Sequence, residues 1–231
     1  MSRADDLRTR LGQVRSRIDR AAADAGRDDE IGLVVVTKFF PASDVRLLAE
    51  LGVRDVGENR HQEAEAKAAE TSDLHLRWHF IGGLQSNKAT AVARYAHVVE
   101  SVDRSSLVPR LARGAVEAGR AVEVLLQVSL DPPGREHRAG AAPDQLSALA
   151  EEVASTEGLV LRGLMAVAPL GEEPSAAFAR LADIRARFVQ QFPAANVLSA
   201  GMSADLEPAI AAGATHVRVG SAVLGSRVQV Q

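Results

Sequence analysis

The amine of Lys38 is the first group in this sequence whose position suggests chemistry. It follows the β-branched segment 31–36 after a single threonine, and Phe39 and Phe40 come directly after it. Burial favours the neutral form of a lysine, and a neutral amine attacks an aldehyde to form a Schiff base. A structural role is also open, because the side chain can snorkel to the rim or pair with Glu58.

Two segments near the C-terminus are rich in small residues and suit a phosphate group. Gly201, Ser203, Gly220 and Ser221 would let backbone N–H groups and hydroxyls approach phosphate oxygens closely. In (β/α)8 barrels a phosphate commonly lies at the loops after strands seven and eight, beside a helix N-terminus. We therefore predict a phosphate site here and a helix that begins near Ser203, although each glycine also suits a plain turn.

Other polar side chains follow apolar segments. The Arg218 guanidinium stays charged and would donate to a ring nitrogen or a carboxylate, in a ligand site or in a structural ion pair. Glu58 and Asn59 follow a glycine that permits close backbone approach. His79 is more typical of a hydrogen-bonded core histidine than of a base, and no histidines have the spacing of a metal site.

Alternating strand and helix patterns predict how these residues are positioned. Apolar and β-branched runs predict strands at 31–36, 53–56, 78–81, 97–99, 122–130, 160–167, 197–199 and 215–219. Helical spacing of apolar residues predicts helices at 45–51, 62–69, 87–95, 105–118, 143–155, 174–192 and 204–212. Eight such units in 231 residues favour an α/β fold, a single closed (β/α)8 TIM barrel that forms one domain over residues 1–231.

The ends of several elements can also be predicted. An extra N-terminal helix precedes the barrel; its apolar face consists of Leu7, Leu11, Val14, Ile18 and Ala22, and Gly26 ends it. Ser43 or Asp44 is expected to cap the helix 45–51. The segment 131–140 is rich in Pro and Gly, so we expect a mobile loop there, either a lid over the barrel mouth or a solvated connection.

Composition excludes several classes of function. The formal net charge is −3 with both signs interspersed, so we expect neither nucleic acid nor a membrane as a partner. The absence of cysteine excludes disulfides and thiol catalysis. Residues 2–20 lack the apolar core of a signal peptide, and no later stretch has the length of a membrane span, so we expect a cytoplasmic protein.

Taken together, these segments resemble one family, the pyridoxal phosphate homeostasis proteins, which share their barrel with the N-terminal domain of alanine racemase. The resemblance covers nearly the whole chain. It rests on Val36-Thr37-Lys38, Gly57-Glu58-Asn59 with Gln62-Glu63, Trp78-His79-Phe80-Ile81-Gly82 with Leu84-Gln85 and Asn87-Lys88, Ser101-Val102-Asp103, Gly163-Leu164-Met165, Gly201-Met202-Ser203-Ala204-Asp205 and Val217-Arg218-Val219-Gly220.

The resemblance implies a cofactor and the residues that bind it. Pyridoxal 5'-phosphate (PLP) would be held as an aldimine on Lys38, with Asn59 beside the ring and Arg218 facing the pyridine nitrogen. The phosphate would be bound by Ser203, Gly220 and Ser221, with Met202 nearby. The chain departs from the family pattern at three positions that affect the barrel floor and the loop after the fifth strand: Ala200, Ser129 and Arg138 replace the usual Met, Asn and Lys.

The resemblance favours a PLP-binding protein over an enzyme. Such a protein would store, buffer or transfer PLP within vitamin B6 homeostasis, with PLP-dependent apoenzymes as candidate acceptors. Alanine racemase uses a second base from an additional domain across a dimer. We expect no such domain here, and the single tyrosine of the sequence, Tyr95, lies in a predicted outer helix. With an arginine beside the ring nitrogen, the PLP ring would also be a weak electron sink, because a guanidinium hardly gives up its proton. We therefore expect a monomer with little catalysis.

Two other functions are compatible with the sequence. A weak PLP-dependent amino-acid racemase would need His79 or a residue of the segment 131–140 as its second base. An unrelated phosphate-binding barrel enzyme, such as a sugar-phosphate isomerase, would use Lys38 directly on its substrate. Turnover of free amino acids would favour the first alternative, and a protein that stays colourless with PLP would favour the second.

Overall fold

The computed structural model describes residues 2–131 and 139–225. Eight parallel strands follow one another around a closed barrel, and the last strand pairs with the first. The strands are β1 (Gly32–Val36), β2 (Asp55–Glu58), β3 (Arg77–Phe80), β4 (Val98–Val102), β5 (Val122–Gln127), β6 (Leu159–Met165), β7 (Val197–Ser199) and β8 (His216–Val219). The predicted (β/α)8 barrel is therefore confirmed.

Helices connect the strands and surround the barrel. They are α1 (Arg3–Asp24), α2 (Ala42–Glu50), α3 (His61–Glu70), α4 (Ala89–Tyr95), α5 (Val108–Glu117), α6 (Leu146–Ser155), α7 (Pro174–Gln191), α8 (Leu206–Ala211) and α9 (Ser221–Leu224). The short helix α9, which follows the last strand, was not predicted. In the ranges 2–131 and 139–225, none of these helices combines the length and apolarity that a membrane crossing requires.

The N-terminal helix α1 has the predicted apolar face. Leu7, Leu11, Val14, Ile18 and Ala22 are all buried, and the helix packs against α2, α8 and α9. Its first turn is closed by a capping box, in which the Ser2 hydroxyl accepts the N–H of Asp5 and the Asp5 carboxylate accepts the N–H of Ser2. The extra helix is thus part of the folded core, on the side of the barrel where the last strand meets the first.

The start of α2 differs from the prediction that Ser43 or Asp44 caps it. The helix begins at Ala42, directly after Pro41, and no side chain caps it. Pro41 lies in an extended conformation and starts the helix a turn earlier than its apolar pattern indicates. The Asp44 carboxylate therefore lies within the helix, where it accepts a hydrogen bond from Arg3 (Nη2 to Oδ2, 2.6 Å) and ties α2 to α1.

Two of the three departures from the family pattern lie in the described part of the chain. Ala200 is fully buried after β7, and its N–H donates to the carbonyl of His216 at 3.0 Å. The Ser129 hydroxyl accepts a hydrogen bond from the N–H of Asp131 at 3.3 Å. Arg138 and most of the predicted loop, residues 132–138, lie outside the described residues.

Candidate functional site

A cavity of about 390 Å³ opens among the C-terminal ends of the strands, where the fold places functional groups. Six of the seven predicted site residues line it: Lys38, Met202, Ser203, Arg218, Gly220 and Ser221. Its other walls are formed by Val36, Phe39, Phe40, Ile81, Ala204 and Gly225. Residues from both ends of the chain thus meet in one place because β8 pairs with β1 and carries its following loop beside Lys38.

The Lys38 amine is available for reaction. The side chain is half-buried in the cavity wall, and among the described residues its Nζ forms no hydrogen bond and no ion pair. The proposed pairing with Glu58 is wrong, because the Glu58 carboxylate binds Lys67 instead (Nζ to Oε1, 2.6 Å). A lysine in this position therefore keeps a free amine next to a largely apolar wall.

A buried cluster beneath Lys38 fixes the turn that carries it. The Lys67 ammonium donates to the Thr37 carbonyl at 2.8 Å, to Glu58 at 2.6 Å and to Glu63 at 2.7 Å. The Glu63 carboxylate in turn accepts the N–H of Phe39 at 2.5 Å. The backbone on both sides of Lys38 is therefore held by side chains of α3, and Glu58 of β2 accepts a hydrogen bond from the Thr37 hydroxyl at 2.7 Å.

The residue after Lys38 has an unusual backbone conformation. Phe39 has a φ of 69°, in the left-handed region that a residue with a bulky side chain rarely adopts, which typically costs about 1–3 kcal/mol. The Arg60 guanidinium covers its ring at 5.0 Å from the centroid. This contact and the hydrogen bond that the Phe39 N–H donates to Glu63 keep Phe39 in place. Such strain beside a candidate reactive residue is typical of functional sites.

Sequence reasoning missed the Glu63 and Lys67 contribution. The two residues are four apart on α3, a spacing that predicts an ion pair on one helix face. That pattern predicts only a surface pair, whereas Lys67 is 6% exposed and Glu58 is fully buried. Burial raises the pKa of the Glu58 carboxyl, and the hydrogen bond and charge of Lys67 oppose that increase.

Asn59 is the one predicted site residue that does not line the cavity. It follows β2, and its backbone packs against Gly82, where an added Cβ would lie 2.2 Å from the Asn59 carbonyl oxygen. The Asn59 Oδ1 atom is buried and accepts no hydrogen bond within the described part of the chain. A buried acceptor without a donor calls for an explanation, and a bound molecule that carries a donor provides one.

Two short segments place hydrogen-bond donors in the cavity wall. The turn after β7 is closed by the Asp205 N–H, which donates to the Met202 carbonyl at 3.2 Å. Its central residues, Ser203 and Ala204, have N–H groups that the turn itself does not use. Beside this turn Ser221 begins α9, where the first N–H groups lack partners within the helix. The Ser221 hydroxyl lies 3.4 Å from that of Ser203.

The helix predicted to begin near Ser203 begins at Leu206 instead. The reason is the Asp205 carboxylate, which accepts the N–H of Met202 at 2.6 Å and holds residues 202–205 as a turn. Helix α1 braces this turn from outside. The Arg17 guanidinium donates to the Ser203 carbonyl at 3.2 Å and forms a bidentate pair with Glu207 at 2.9 Å. The N-terminal helix thus contributes to the site.

Replacing Gly201 with alanine is expected to lower the free energy of unfolding by about 2–4 kcal/mol. Gly201 has a φ of 89°, and an added Cβ would lie 2.6 Å from the Cβ of Ala209. Chemical denaturation of the protein without ligand measures this loss. The matched control is Gly213→Ala, whose φ is 94° but whose added Cβ has only Arg185 nearby at 3.7 Å.

Gly213→Ala should lower the free energy of unfolding by about 1–2 kcal/mol, which is the cost of a positive φ for alanine without a steric clash. Equal losses in the two variants would mean that the contact between Gly201 and α8 does not hold the turn in place.

Arg218 is almost completely buried, although it reaches the cavity. Its Nη1 donates to the Ser199 hydroxyl at 2.7 Å and its Nη2 to the Ala166 carbonyl at 2.9 Å. The Glu100 carboxylate lies 3.8 Å from Nη1. Burial lowers the pKa of the guanidinium, and the Glu100 charge opposes that change. Arg218 is therefore both a member of a structural ion pair and a donor at the cavity wall.

His79 is a core histidine. It is 5% exposed, does not line the cavity, and has both ring nitrogens engaged: Nδ1 with Glu100 at 2.7 Å and Nε2 with Asp55 at 2.9 Å. Burial by itself would lower the pKa of His79, but the hydrogen bonds to the two carboxylates outweigh it and raise the pKa. The interpretation of His79 as a second base acting on a substrate is therefore wrong.

Tyr95 is also remote from the cavity. It ends α4 in the outer ring, as predicted, and its ring stacks on His61 at a centroid distance of 5.9 Å. Neither residue lines the cavity around Lys38.

Comparison with known proteins agrees with this geometry. The family model for the alanine racemase N-terminal domain matches residues 9–228. The pyridoxal phosphate homeostasis protein of Mycobacterium tuberculosis (strain H37Rv) is 44% identical over 243 residues, which cover 97% of this chain and 94% of the relative. The protein of the same name from Pseudomonas aeruginosa is 43% identical over 218 residues, with 94% of each chain covered.

A solved structure is similar over nearly the same length. PipY of Synechococcus elongatus PCC7942, solved with PLP bound, is 38% identical and superposes with a TM-score of 0.82. The match covers 95% of this chain and 100% of PipY. The barrel and its connections are therefore those of a family whose members include a PLP-bound protein.

Proposed function

Because this chain belongs to the pyridoxal phosphate homeostasis protein family, we propose that it binds PLP covalently through Lys38 and acts in PLP homeostasis, by storage, buffering or transfer. The single observation that carries the proposal is the free amine of Lys38 in a cavity large enough for a small cofactor. The chain has three lysines, and the other two are Lys67, which three acceptors hold, and Lys88, which lies outside the cavity.

The residues around Lys38 fit the chemical groups of PLP. Condensation of the Lys38 amine with the cofactor aldehyde releases one water and forms the covalent C=N bond. Ser203 and Ser221 offer hydroxyl and backbone donors for the phosphate. Gly220 packs closely on β1, since an added Cβ would lie 3.2 Å from the Val36 carbonyl oxygen. Met202 would cover the phosphate end. The positions of these residues in the cavity wall support the proposed roles.

The ring of PLP needs a partner for its nitrogen and for its other polar atoms. Arg218 is a fixed donor at the cavity wall and would face the pyridine nitrogen. Asn59, whose Oδ1 has no hydrogen-bond partner among the described residues, would lie beside the ring as an acceptor. When bound, PLP can act as an electron sink, but a guanidinium that keeps its proton supports this chemistry weakly. His79 is held by two carboxylates and offers no second base.

We therefore propose a carrier without substantial catalysis, in which residues 1–231 form one PLP-binding barrel domain and PLP-dependent apoenzymes are the acceptors. The weak racemase alternative has no specific observation in its favour. Incubation of the PLP-loaded protein with L-alanine, followed by chiral chromatography, should show no more racemisation than free PLP produces. Turnover above that background would contradict the proposal.

Borohydride trapping tests the binding site directly. The purified protein is loaded with PLP, reduced and digested, and the pyridoxyl group is located by peptide mass spectrometry. We expect one pyridoxyl group per chain, on Lys38, because Lys67 is buried among its acceptors. Labelling of Lys88 instead, or no labelling at all, would refute the proposal and favour a barrel enzyme that acts on a phosphorylated sugar.

A further inference from the structure

Charged and polar side chains fill part of the barrel interior, where such barrels ordinarily pack branched apolar residues. Five of the eight strands contribute one residue each: Asp55 (β2), His79 (β3), Glu100 (β4), Ser199 (β7) and Arg218 (β8). All but Asp55, which is half-buried, are at most 5% exposed. Buried charges are costly unless they are paired and hydrogen-bonded, so such a group requires continuous contacts.

The contacts are continuous from one end of the group to the other. Asp55 binds His79 at 2.9 Å, and His79 binds the first carboxylate oxygen of Glu100 at 2.7 Å. The second oxygen of Glu100 accepts from the Ser199 hydroxyl at 2.6 Å. Ser199 in turn accepts from Arg218 at 2.7 Å. The five residues form a single hydrogen-bonded chain, which we call the interior relay.

The charges of the interior relay balance when His79 is protonated. Arg218 and His79 are then positive, while Asp55 and Glu100 are negative. Burial would raise the pKa of Glu100, but the hydrogen bond and charge of His79 lower it, so the carboxylate stays ionised. Without the His79 charge, the buried Glu100 carboxylate would have Arg218 as its only cationic partner in the relay.

The two ends of the relay reach different surfaces of the barrel. Arg218 lines the cavity that contains Lys38. Asp55 is the first residue of β2 and lines a second cavity of about 380 Å³ at the opposite face, together with Arg15, Asp19 and Arg54. The relay therefore connects solvent near the N-terminal ends of the strands with the wall of the candidate PLP site.

We propose that Asp55, His79, Glu100 and Ser199 are positioning residues that aim the Arg218 guanidinium at the ring nitrogen of PLP, and that the protonation state of His79 sets this contact. The inference rests on the proposed function, because it assumes that PLP occupies the Lys38 cavity. With a protonated His79, the negative charge of Glu100 is shared between two cations. When His79 loses its proton, Glu100 attracts Arg218 more strongly and weakens the bond to the ring.

The groups that face His79 determine the direction of the pH effect. Asp55 and Glu100 raise its pKa by direct hydrogen bonds, whereas burial lowers it. More distant positive charge comes from Arg77, which binds Asp55 at 3.4 Å, and the neighbouring rings of His97 and His216 also act electrostatically with His79. The imidazolium therefore persists above the ordinary histidine pKa and is lost as the pH rises further.

The test uses the full-length protein loaded with PLP that carries ¹⁵N in its ring, so that the ¹⁵N shift reports hydrogen bonding to that nitrogen. In the unmodified protein we expect the shift to change with pH, with an inflection above pH 6.5, the ordinary histidine value. Asp55→Asn removes one carboxylate that raises the His79 pKa, so the inflection of this variant should move to lower pH. Asp55 does not line the Lys38 cavity.

Glu123→Gln is the matched control. Glu123 accepts from Arg77 at 2.9 Å, as Asp55 does from the same arginine at 3.4 Å, but it does not contact His79. Its inflection should equal that of the unmodified protein. A further variant, His79→Gln, should remove the inflection altogether while Lys38 remains labelled by borohydride.

The inference fails if the unmodified protein shows no inflection, or if Asp55→Asn and Glu123→Gln behave alike. Denaturation curves of each variant without PLP confirm that a changed ¹⁵N signal comes from folded protein. Failure of the proposed function is a different result: in that case the unmodified protein would carry no pyridoxyl group on Lys38 after reduction, and no bound ring signal would exist to titrate.

Discussion

Replacing Lys38 with alanine is expected to abolish the borohydride-fixed pyridoxyl group and to raise the dissociation constant for PLP by roughly a hundredfold, or about 2.7 kcal/mol. The substitution removes the only nucleophile that lines the cavity within the described residues and has no partner of its own. The donors for the phosphate remain, so PLP should still bind weakly and reversibly. Equilibrium dialysis measures the affinity, and peptide mass spectrometry measures the adduct.

Lys88→Ala is the matched control for Lys38→Ala. Unlike Lys67, Lys88 belongs to no buried ion-pair cluster among the described residues. It lies in the turn before α4 and does not line the cavity. The control should keep one pyridoxyl group per chain and an unchanged dissociation constant. If Lys38→Ala still formed a stoichiometric adduct on another lysine, the assignment of Lys38 would be wrong even though PLP binding would stand.

Replacing Lys67 with methionine is expected to lower the free energy of unfolding by about 3–5 kcal/mol at neutral pH. Methionine has a similar length but leaves the carboxylates of Glu58 and Glu63 without their cation, and Glu58 is fully buried. The Thr37 carbonyl also loses its donor. Since these groups hold the backbone around Lys38, labelling of Lys38 by PLP should slow as well. Chemical denaturation monitored by circular dichroism gives the stability change.

The loss of unfolding free energy caused by Lys67→Met should become smaller as the pH falls. Burial already raises the pKa of Glu58, and removing Lys67 raises it further. A carboxyl whose pKa is raised on folding destabilises the fold above that pKa, and the destabilisation disappears as the pH falls through it. The difference from the unmodified protein should therefore shrink between pH 8 and pH 5.

The half-exposed Lys88 provides the comparison for Lys67. Lys88→Met should change stability by less than about 0.5 kcal/mol at either pH. A penalty for Lys67→Met that stays constant from pH 8 to pH 5 would show that lost packing, and not the buried charge, dominates the effect.

Much of the barrel could be predicted from the sequence because its strands are short, apolar and regularly separated by helical patterns. A strand that is covered on both faces is mostly apolar, so a segment such as 31–36 is recognisable without any partner. The position of the site followed from the same pattern, because parallel strands bring their C-terminal ends to one face. Lys38 and Arg218 are far apart in sequence, yet both follow or end such strands.

Helix starts were less predictable, since several local interactions compete there. A serine or aspartate near the start of an apolar pattern suggests a cap, but Asp44 binds Arg3 and Asp205 binds the N–H of Met202. Both carboxylates thus use partners that the helical pattern does not reveal.

The sequence by itself determined the alternation of strands and helices, the lysine that follows β1, and the small residues that follow β7 and β8. Only the tertiary structure decided which charges pair: Glu58 binds Lys67 and leaves Lys38 free, while Glu100 joins His79 to Ser199 and Arg218. The reason is physical. Backbone periodicity is a local property, whereas the partner of a buried charge depends on which side chains from distant strands meet inside a closed barrel.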